Sequence, residues 1–194
     1  MVLPRGVPCG DGQKQIVRAT KRIIDQQSGP VVLVGHSYGG SVITAAGADP
    51  KVKTLVYVAA LQPDAGEASG QLLSKFAPPN DAMRAPQKYL FLPERFHPTY
   101  AADISASDAQ FMADSQQQLA EKAVGASVSV AAWRTKPSYA ILTTEDHVVS
   151  PQLQRWMYQR SGAKVTEVNA SHAVFLSQPA KVAEVIETAA NQTE

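Results

Sequence analysis

The chain has 194 residues, a length typical of one domain that buries a sizeable hydrophobic core. Its 18 Lys and Arg nearly balance its 17 Asp and Glu, so charge gives no electrostatic basis for binding nucleic acid or an anionic membrane surface. The single cysteine, Cys9, excludes an internal disulfide, and without a membrane-length apolar run or a signal-peptide core we expect a cytoplasmic protein.

The first half of the chain predicts alternating helices and strands. Apolar residues recur at helical spacing over residues 13–27, and Ser28-Gly29-Pro30 is expected to end that helix. The β-branched run 31–34, apolar on both faces, predicts a buried strand of a parallel sheet. A helix over about 38–48 and a second strand over 54–59 follow. This order favours a βαβ arrangement.

The stretch from about 62 to 137 differs from the rest of the chain. It carries most of the prolines among short helical segments, so we interpret it as a cap inserted at the carboxyl ends of the strands, where such folds bind ligands. Strand–helix alternation then resumes, with elements predicted at 139–142, 152–159, 164–168 and 179–190. The predicted fold class is therefore α/β, with a mainly parallel sheet and helices on both faces.

The pentapeptide Gly35-His36-Ser37-Tyr38-Gly39 matches the pattern G-x-S-x-G, and Gly40 extends it. A predicted buried strand ends just before it and a helix starts just beyond Ser37, which is the setting that a nucleophile elbow requires. The glycines leave space where a Cβ would clash, and the helix N-terminus favours developing negative charge. We interpret Ser37 as a nucleophile; a Gly-rich turn with a capping serine is the alternative.

A serine nucleophile needs a base, and the four histidines differ in their suitability. In this type of fold the chain order is Ser, acid, His, and His172 lies between the last predicted strand and the last helix, where the base belongs. His36 lies in the elbow and is expected to point away from Ser37. His97 lies among the prolines of the insertion, and His147 follows an acidic pair. His172 is therefore the candidate base, and an ordinary loop histidine is the alternative.

The acid is expected in the loop 143–151, which follows a predicted strand and offers Glu145 and Asp146. We favour Asp146, because an apolar pair and a proline that opens a helix follow it; Glu145 is the alternative. We expect the Asp146 carboxylate to approach Nδ1 of His172, and the Ser37 hydroxyl to approach Nε2 of the same ring.

These motifs in combination resemble the small α/β-hydrolases, and within them the bacterial esterase-like members and their relatives, the plant methyl-ester hydrolases and hydroxynitrile lyases. The resemblance runs from about Gln13 to the C-terminus and rests on Gly-His-Ser-Tyr-Gly-Gly at 35–40, on Glu145-Asp146 running into Gln154-Arg155-Trp156, and on Ser171-His172. It implies an α/β-hydrolase fold as a single domain over 1–194, with a helical cap at approximately 62–137.

The same resemblance implies a site: Ser37 as nucleophile, Asp146 as acid, His172 as base and the Tyr38 backbone N–H as one oxyanion donor, with no cofactor and no metal. Lyases of the group carry a lysine directly after the histidine, where this chain has Ala173, so we expect cleavage of small apolar carboxylic esters instead. Five aromatic residues of the insertion could line an acyl pocket, although for any one of them we favour ordinary packing between cap and core: Phe76, Tyr89, Phe91, Phe96 and Phe111.

One expected feature is absent ahead of the elbow. The second oxyanion donor of this fold normally comes from a loop after an earlier strand, often marked by His-Gly, and no such pair precedes Ser37. We therefore expect an N-terminally truncated sheet, with the strand 31–34 at its edge and a homo-oligomer formed through that edge. The alternative function is a catalytically impaired binding protein of the same fold.

Overall fold

The structure is a computed structural model that describes residues 12–76, 88–89 and 91–192, residues 88–89 by their backbone. Within these ranges the strands are β1 (Val31–His36), β2 (Val52–Val58), β3 (Lys88–Tyr89), β4 (Leu119–Ala120), β5 (Ser138–Thr143) and β6 (Lys164–Val168). The helices are α1 (Gly12–Asp25), α2 (Gly39–Ala46), α3 (Ser69–Lys75), α4 (Pro93–Tyr100), α5 (Ala106–Asp114), α6 (Glu121–Gly125), α7 (Pro151–Ser161), α8 (Val174–Ser177) and α9 (Pro179–Asn191). A short 3₁₀ helix covers Ala132–Arg134.

The main sheet contains four parallel strands in the order β1-β2-β5-β6. Parallel strands place their carboxyl ends at one edge of the sheet, where open α/β folds hold their ligands. Ser37 directly follows β1, while Asp146 and His172 lie in the loops after β5 and β6. The three sequence-predicted side chains therefore come from loops at the same edge.

The side chains of β2 alternate between two hydrophobic cores, one on each face of the sheet. Leu55 and Tyr57 belong to the core that α1, α2 and α7 cover. Val56 and Val58 belong to the core on the opposite face, which α9 covers. Helices thus cover both faces of the parallel sheet, and the predicted α/β fold class is confirmed.

Most predicted elements are present, with ends that differ by a few residues. Strand β6 has its predicted bounds, and β1 runs two residues further than predicted, to His36. Helix α8, which begins two residues after His172, was not predicted. Four residues make little more than one turn, which is too short to produce a recognisable helical period.

The insertion between β2 and β5 contains α3 to α6 together with an antiparallel pair formed by β3 and β4. The N-cap of α5 is Ser105, whose hydroxyl accepts a hydrogen bond from the Asp108 amide at 3.1 Å. In the described ranges no helix combines the length and the apolar character needed to cross a membrane.

Strand β1 lies at one edge of the sheet, since no described strand pairs with it on the side away from β2. The expectation that residues 31–34 are buried on both faces is wrong: the first three are only partly buried, and Val34 is 37% exposed. With one neighbouring strand instead of two, the side chains of β1 have fewer atoms against which to pack. Pairing of a second copy with this edge stays a prediction.

Candidate active site

Ser37 lies on the sharp turn between β1 and α2, and its backbone has a φ of 55°, in the left-handed region that non-glycine residues rarely adopt. Two hydrogen bonds hold the turn against the end of β2. The Ser37 amide donates to the Val58 carbonyl at 3.3 Å, and the Leu61 amide donates to the Ser37 carbonyl at 3.1 Å. Such strained backbone persists where the surrounding structure enforces it, and it occurs often at functional sites.

Two glycines allow the close approach of the chain around Ser37. A Cβ on Gly35 would lie 2.6 Å from the carbonyl oxygen of Gly39, and a Cβ on Gly40 would overlap the carbonyl oxygen of Leu61. Both contacts would be shorter than any that a real Cβ makes. Helix α2 therefore reaches its position against the sheet only because Gly35 and Gly40 have no side chain.

Asp146 and His172 form a buried hydrogen-bonded pair, with His172 Nδ1 lying 2.8 Å from Asp146 Oδ2. The His172 residue is 0% exposed. An ionised carboxylate only accepts hydrogen bonds, so Nδ1 carries the proton and, in the neutral ring, Nε2 keeps its lone pair. Glu145, the alternative acid, is exposed. The expected approach of Asp146 to Nδ1 is met.

Four further groups hold the Asp146 carboxylate in place. Oδ2 accepts hydrogen bonds from the Thr143 hydroxyl at 2.8 Å and from the Gln154 side-chain amide at 2.9 Å. Oδ1 accepts from the backbone amides of Val148 and Val149, at 2.8 Å and 2.9 Å. The part that Thr143 plays was not predicted, because a threonine at the end of a strand gives no signal in the sequence that sets it apart.

These contacts determine the ionisation of Asp146. Burial by itself would raise the pKa of the carboxyl group, but the neighbouring His172 and the two backbone amides outweigh it, so the pKa of Asp146 lies below its usual range. The carboxylate is thus ionised near neutral pH. It is suited to fix the His172 tautomer and to stabilise a positive charge on that ring.

His36 also contacts His172, which the sequence did not indicate. Its Nε2–H donates to the His172 backbone carbonyl at 2.9 Å, and the centroids of the two rings lie 4.5 Å apart. Burial first, and then the nearby His172, lower the pKa of His36 to about 3. A neutral His36 adds no positive charge next to the candidate base.

The expected hydrogen bond between the Ser37 hydroxyl and His172 is not made. Nε2 of His172 is buried and has no hydrogen-bond partner within the described residues. Catalytic hydrogen bonds are often long or poorly aligned in structures without substrate. Nε2 is therefore available to a proton donor that approaches it.

Tyr38 follows the serine, and its side chain is anchored away from it, because the phenol donates to the Ala123 carbonyl of α6 at 3.0 Å. No backbone carbonyl in the described ranges accepts from the Tyr38 N–H. This amide lies at the start of α2, where the helix dipole adds to its attraction for negative charge. It is thus free to donate to an oxyanion.

Asp103, in the insertion, holds the loop that carries His172. Its carboxylate accepts the Ser171 backbone amide at 2.9 Å and also accepts from the Ser171 hydroxyl. The Ser171 hydroxyl oxygen in turn accepts from the Ala173 amide at 3.2 Å. Burial raises the pKa of Asp103, but the hydrogen bonds from the hydroxyl and the backbone amide of Ser171 help to outweigh that effect, and the pKa is lowered overall. Sequence reasoning missed Asp103.

One aromatic residue of the insertion contacts the candidate base, and it was not among the five predicted. The Tyr100 ring meets the His172 ring edge-on, with centroids 4.7 Å apart. Phe91 and Phe96 pack against Tyr100, at centroid distances of 5.5 Å and 4.8 Å, and Phe96 is fully enclosed. The two phenylalanines thus help to hold the Tyr100 ring in its place next to His172.

Two other predicted pocket residues, Phe76 and Phe111, make no ring contact with His172. Phe111 is 73% exposed, so its prediction as a pocket residue is wrong: it lies on the outer face of α5, whose inner face is formed by small alanines. Phe76 packs on Trp156, with centroids 6.0 Å apart. The Tyr89 side chain lies outside the described residues. Within the described ranges, no cluster of three or more His, Cys, Asp and Glu side chains could hold a metal ion.

Comparisons with known proteins find esterases among the relatives of this chain. A carbendazim hydrolyzing esterase from Nocardioides sp. is 52% identical over 52 residues, which are 25% of this chain and 21% of that protein. A putative chloroplastic methylesterase from Arabidopsis thaliana is 29% identical over 168 residues, 77% of this chain and 43% of that protein. The chain thus spans less than half the length of these two curated relatives.

The fold is also that of solved hydrolases. A pyrethroid hydrolase from Sphingobium faniae JZ-2 superimposes with a TM-score of 0.78 at 21% identity, covering 93% of this chain and 78% of that one. The model of the alpha/beta hydrolase family matches residues 9–185, which is most of the chain. With the serine elbow and the buried Asp146–His172 pair at one edge of a parallel sheet, the chain belongs to the alpha/beta hydrolase family.

Proposed function

We propose that the chain carries the active site of a serine hydrolase that cleaves small, largely apolar carboxylic esters. The observation that carries the proposal is the buried pair of Asp146 and His172, which leaves Nε2 of the ring without a partner at the sheet edge where Ser37 lies on its strained turn. The names of the relatives, an esterase, a methylesterase and a pyrethroid hydrolase, support the same class of reaction.

The proposed reaction proceeds through an acyl-enzyme. The Ser37 hydroxyl attacks the ester carbonyl while Nε2 of His172 takes its proton, and the Tyr38 N–H donates to the oxyanion that forms. Asp146 keeps the proton of the neutral ring on Nδ1 and stabilises the imidazolium. His172 then protonates the leaving alcohol. Water, activated by the same ring, hydrolyses the ester on Ser37.

The apolar character of the substrate is inferred from the surroundings of His172. The ring is enclosed by Tyr100 from the insertion and by His36, whose ring packs on Phe175 at a centroid distance of 4.8 Å. His36 is neutral near pH 7 because its pKa is lowered to about 3, so no cation faces the substrate there. An uncharged acyl group fits such surroundings better than an anionic one.

Labelling with a fluorophosphonate probe tests this proposal, because the probe reacts only with an activated serine. We expect mass spectrometry to find the adduct on Ser37, and the folded protein to hydrolyse p-nitrophenyl acetate and butyrate. Ser37→Ala should lose both activities and keep its thermal midpoint. Ser74→Ala, which removes an exposed hydroxyl on α3, is the matched control and should behave like wild type.

The alternative, a binding protein of the same fold with an impaired oxyanion hole, gives the opposite result. One observation favours it: the hydrogen bond between Ser37 and Nε2 of His172 is not made. A folded sample that neither reacts with the probe nor turns over either ester, while it still binds esters, would support this alternative and overturn the hydrolase proposal.

A further inference from the structure

A cavity that is separate from the candidate active site lies between α1 and the segment of the insertion that follows α6. Its volume is about 520 Å³, within the range of sites that bind small molecules. Next to the cavity, the start of α1 packs closely on α6, because a Cβ on Gly12 would lie 3.0 Å from that of Ala123. Neither Ser37 nor His172 is part of its wall.

Four cations surround the cavity. Lys14, Arg18 and Lys21 lie on α1 at spacings of four and three residues, which places them along one face of the helix, and Lys122 faces them from α6. None of the four forms an ion pair within the described part of the chain, and no acidic residue is among those that line the cavity there. The described lining of the cavity therefore carries a net positive charge.

The cavity also has a buried donor without a partner. Gln13, in the first turn of α1, lines the wall and is only 5% exposed, and its Nε2 makes no hydrogen bond within the described residues. Such a group costs free energy unless a ligand satisfies it.

The remaining wall is largely apolar. Val17 of α1, Ala45 of α2 and Val128 of the insertion line the cavity, and the last two are buried. An inorganic anion would leave these side chains uncovered, whereas a neutral apolar molecule would leave the buried Gln13 amide without a partner and would gain nothing from the four exposed cations. The wall therefore fits a molecule that has both an anionic head and an apolar body.

We propose that this cavity is a binding site for a small amphipathic organic anion, with a carboxylate or phosphate head held by Gln13, Arg18 and Lys122 and an apolar tail against Val17 and Val128. The site is separate from the ester-cleaving centre, so the proposal does not depend on the proposed function. Charge–charge attraction supplies the preference for anions, and screening makes the binding sensitive to salt.

Calorimetric titration of the whole chain tests the proposal with three probes that share a seven-carbon tail: sodium octanoate, heptyl phosphate and the neutral octanamide. We expect at least one of the two anions to bind with a Kd below about 1 mM at low ionic strength, and octanamide to bind at least about tenfold more weakly. The two anionic probes distinguish a carboxylate head from a phosphate head. If neither anion binds, or if octanamide binds as tightly, the proposal is wrong.

Paired variants locate the binding. Arg18→Gln should weaken binding of the anion about tenfold, whereas Arg22→Gln, the same change on the same helix at a residue that does not line the cavity, should stay within about twofold of wild type. Gln13→Leu should weaken binding without lowering the thermal midpoint, since it removes an unsatisfied donor. Equal losses in the two arginine variants, or a Gln13→Leu variant that binds as well as wild type, would overturn the assignment.

Discussion

Replacing His36 with glutamine tests whether the neutral ring next to His172 makes the fold sensitive to acid. Burial and the neighbouring His172 lower the pKa of His36 from its ordinary 6.5 to about 3. Between these two values the unfolded chain binds a proton at this position and the folded chain does not. The contribution of His36 to stability is therefore complete above about pH 6.5, and it is lost as the pH falls from there towards 3.

The expected loss follows from the size of the shift. Each pH unit below 6.5 favours the unfolded chain by about 1.4 kcal/mol, which amounts to about 2 kcal/mol at pH 5. A typical domain is stable by about 5–15 kcal/mol, so this one ring is expected to move the unfolding transition measurably. The glutamine side chain cannot titrate, and its amide can still donate to the His172 carbonyl that His36 contacts.

Urea denaturation followed by circular dichroism at pH 7.5, 6 and 5 measures this effect. Relative to wild type, His36→Gln should become more stable by about 2 kcal/mol between pH 7.5 and pH 5. His147→Gln, which removes an exposed histidine, is the control and should keep the pH dependence of wild type. If His36→Gln has the same pH dependence as wild type, the reasoning about its ionisation is wrong.

Three further changes test other parts of the structure. Asp103→Asn should lower kcat for ester hydrolysis about three- to tenfold with little change in KM, because the loop that carries His172 loses one of the carboxylate oxygens that accept from Ser171. A shift in thermal midpoint without a change in kcat would contradict this. Gly40→Ala should lower the soluble yield and the thermal midpoint, because the new Cβ overlaps the Leu61 carbonyl, and a midpoint like that of wild type would refute it. The pKa of Asp146 is lowered, so its carboxylate stabilises the fold above about pH 4 and loses that effect as the pH falls further. The loss of unfolding free energy caused by Asp146→Asn, measured by urea denaturation, should therefore become smaller below about pH 4. A difference between variant and wild type that stays constant down to about pH 3 would argue against this.

The fold and the Asp146–His172 pair could be predicted because both depend on signals that are local in the sequence. The run at 31–34 and the glycines after it mark a strand and a turn within ten residues. The order of strands and helices then places the loops around Asp146 and His172 at one edge of a parallel sheet. Local order also separated Asp146 from Glu145, since the residues that follow Asp146 turn back and bind it through their backbone amides.

The support for the pair could not be predicted, because it comes from residues whose chemistry is common and whose partners are distant. A threonine at a strand end or an aspartate in a loop has many ordinary roles, and only the fold selects among them. Asp103 lies 68 residues before Ser171, and no periodicity links the two positions. The unpredicted helix α8 is a related case, because it is too short to leave a pattern and yet begins just after His172.

The insertion contributes to the candidate site although its residues lie far from His172 in the sequence. Tyr100 packs on the His172 ring and Asp103 binds Ser171, so two residues only three apart in the insertion hold the candidate base and its loop. Asp146 holds the same ring from the loop after β5. The orientation of the His172 ring therefore depends on the position of the insertion relative to the sheet. A sequence change that shifts α4 would therefore disturb Tyr100 and the nearby Asp103 together, and with them the placement of the candidate base.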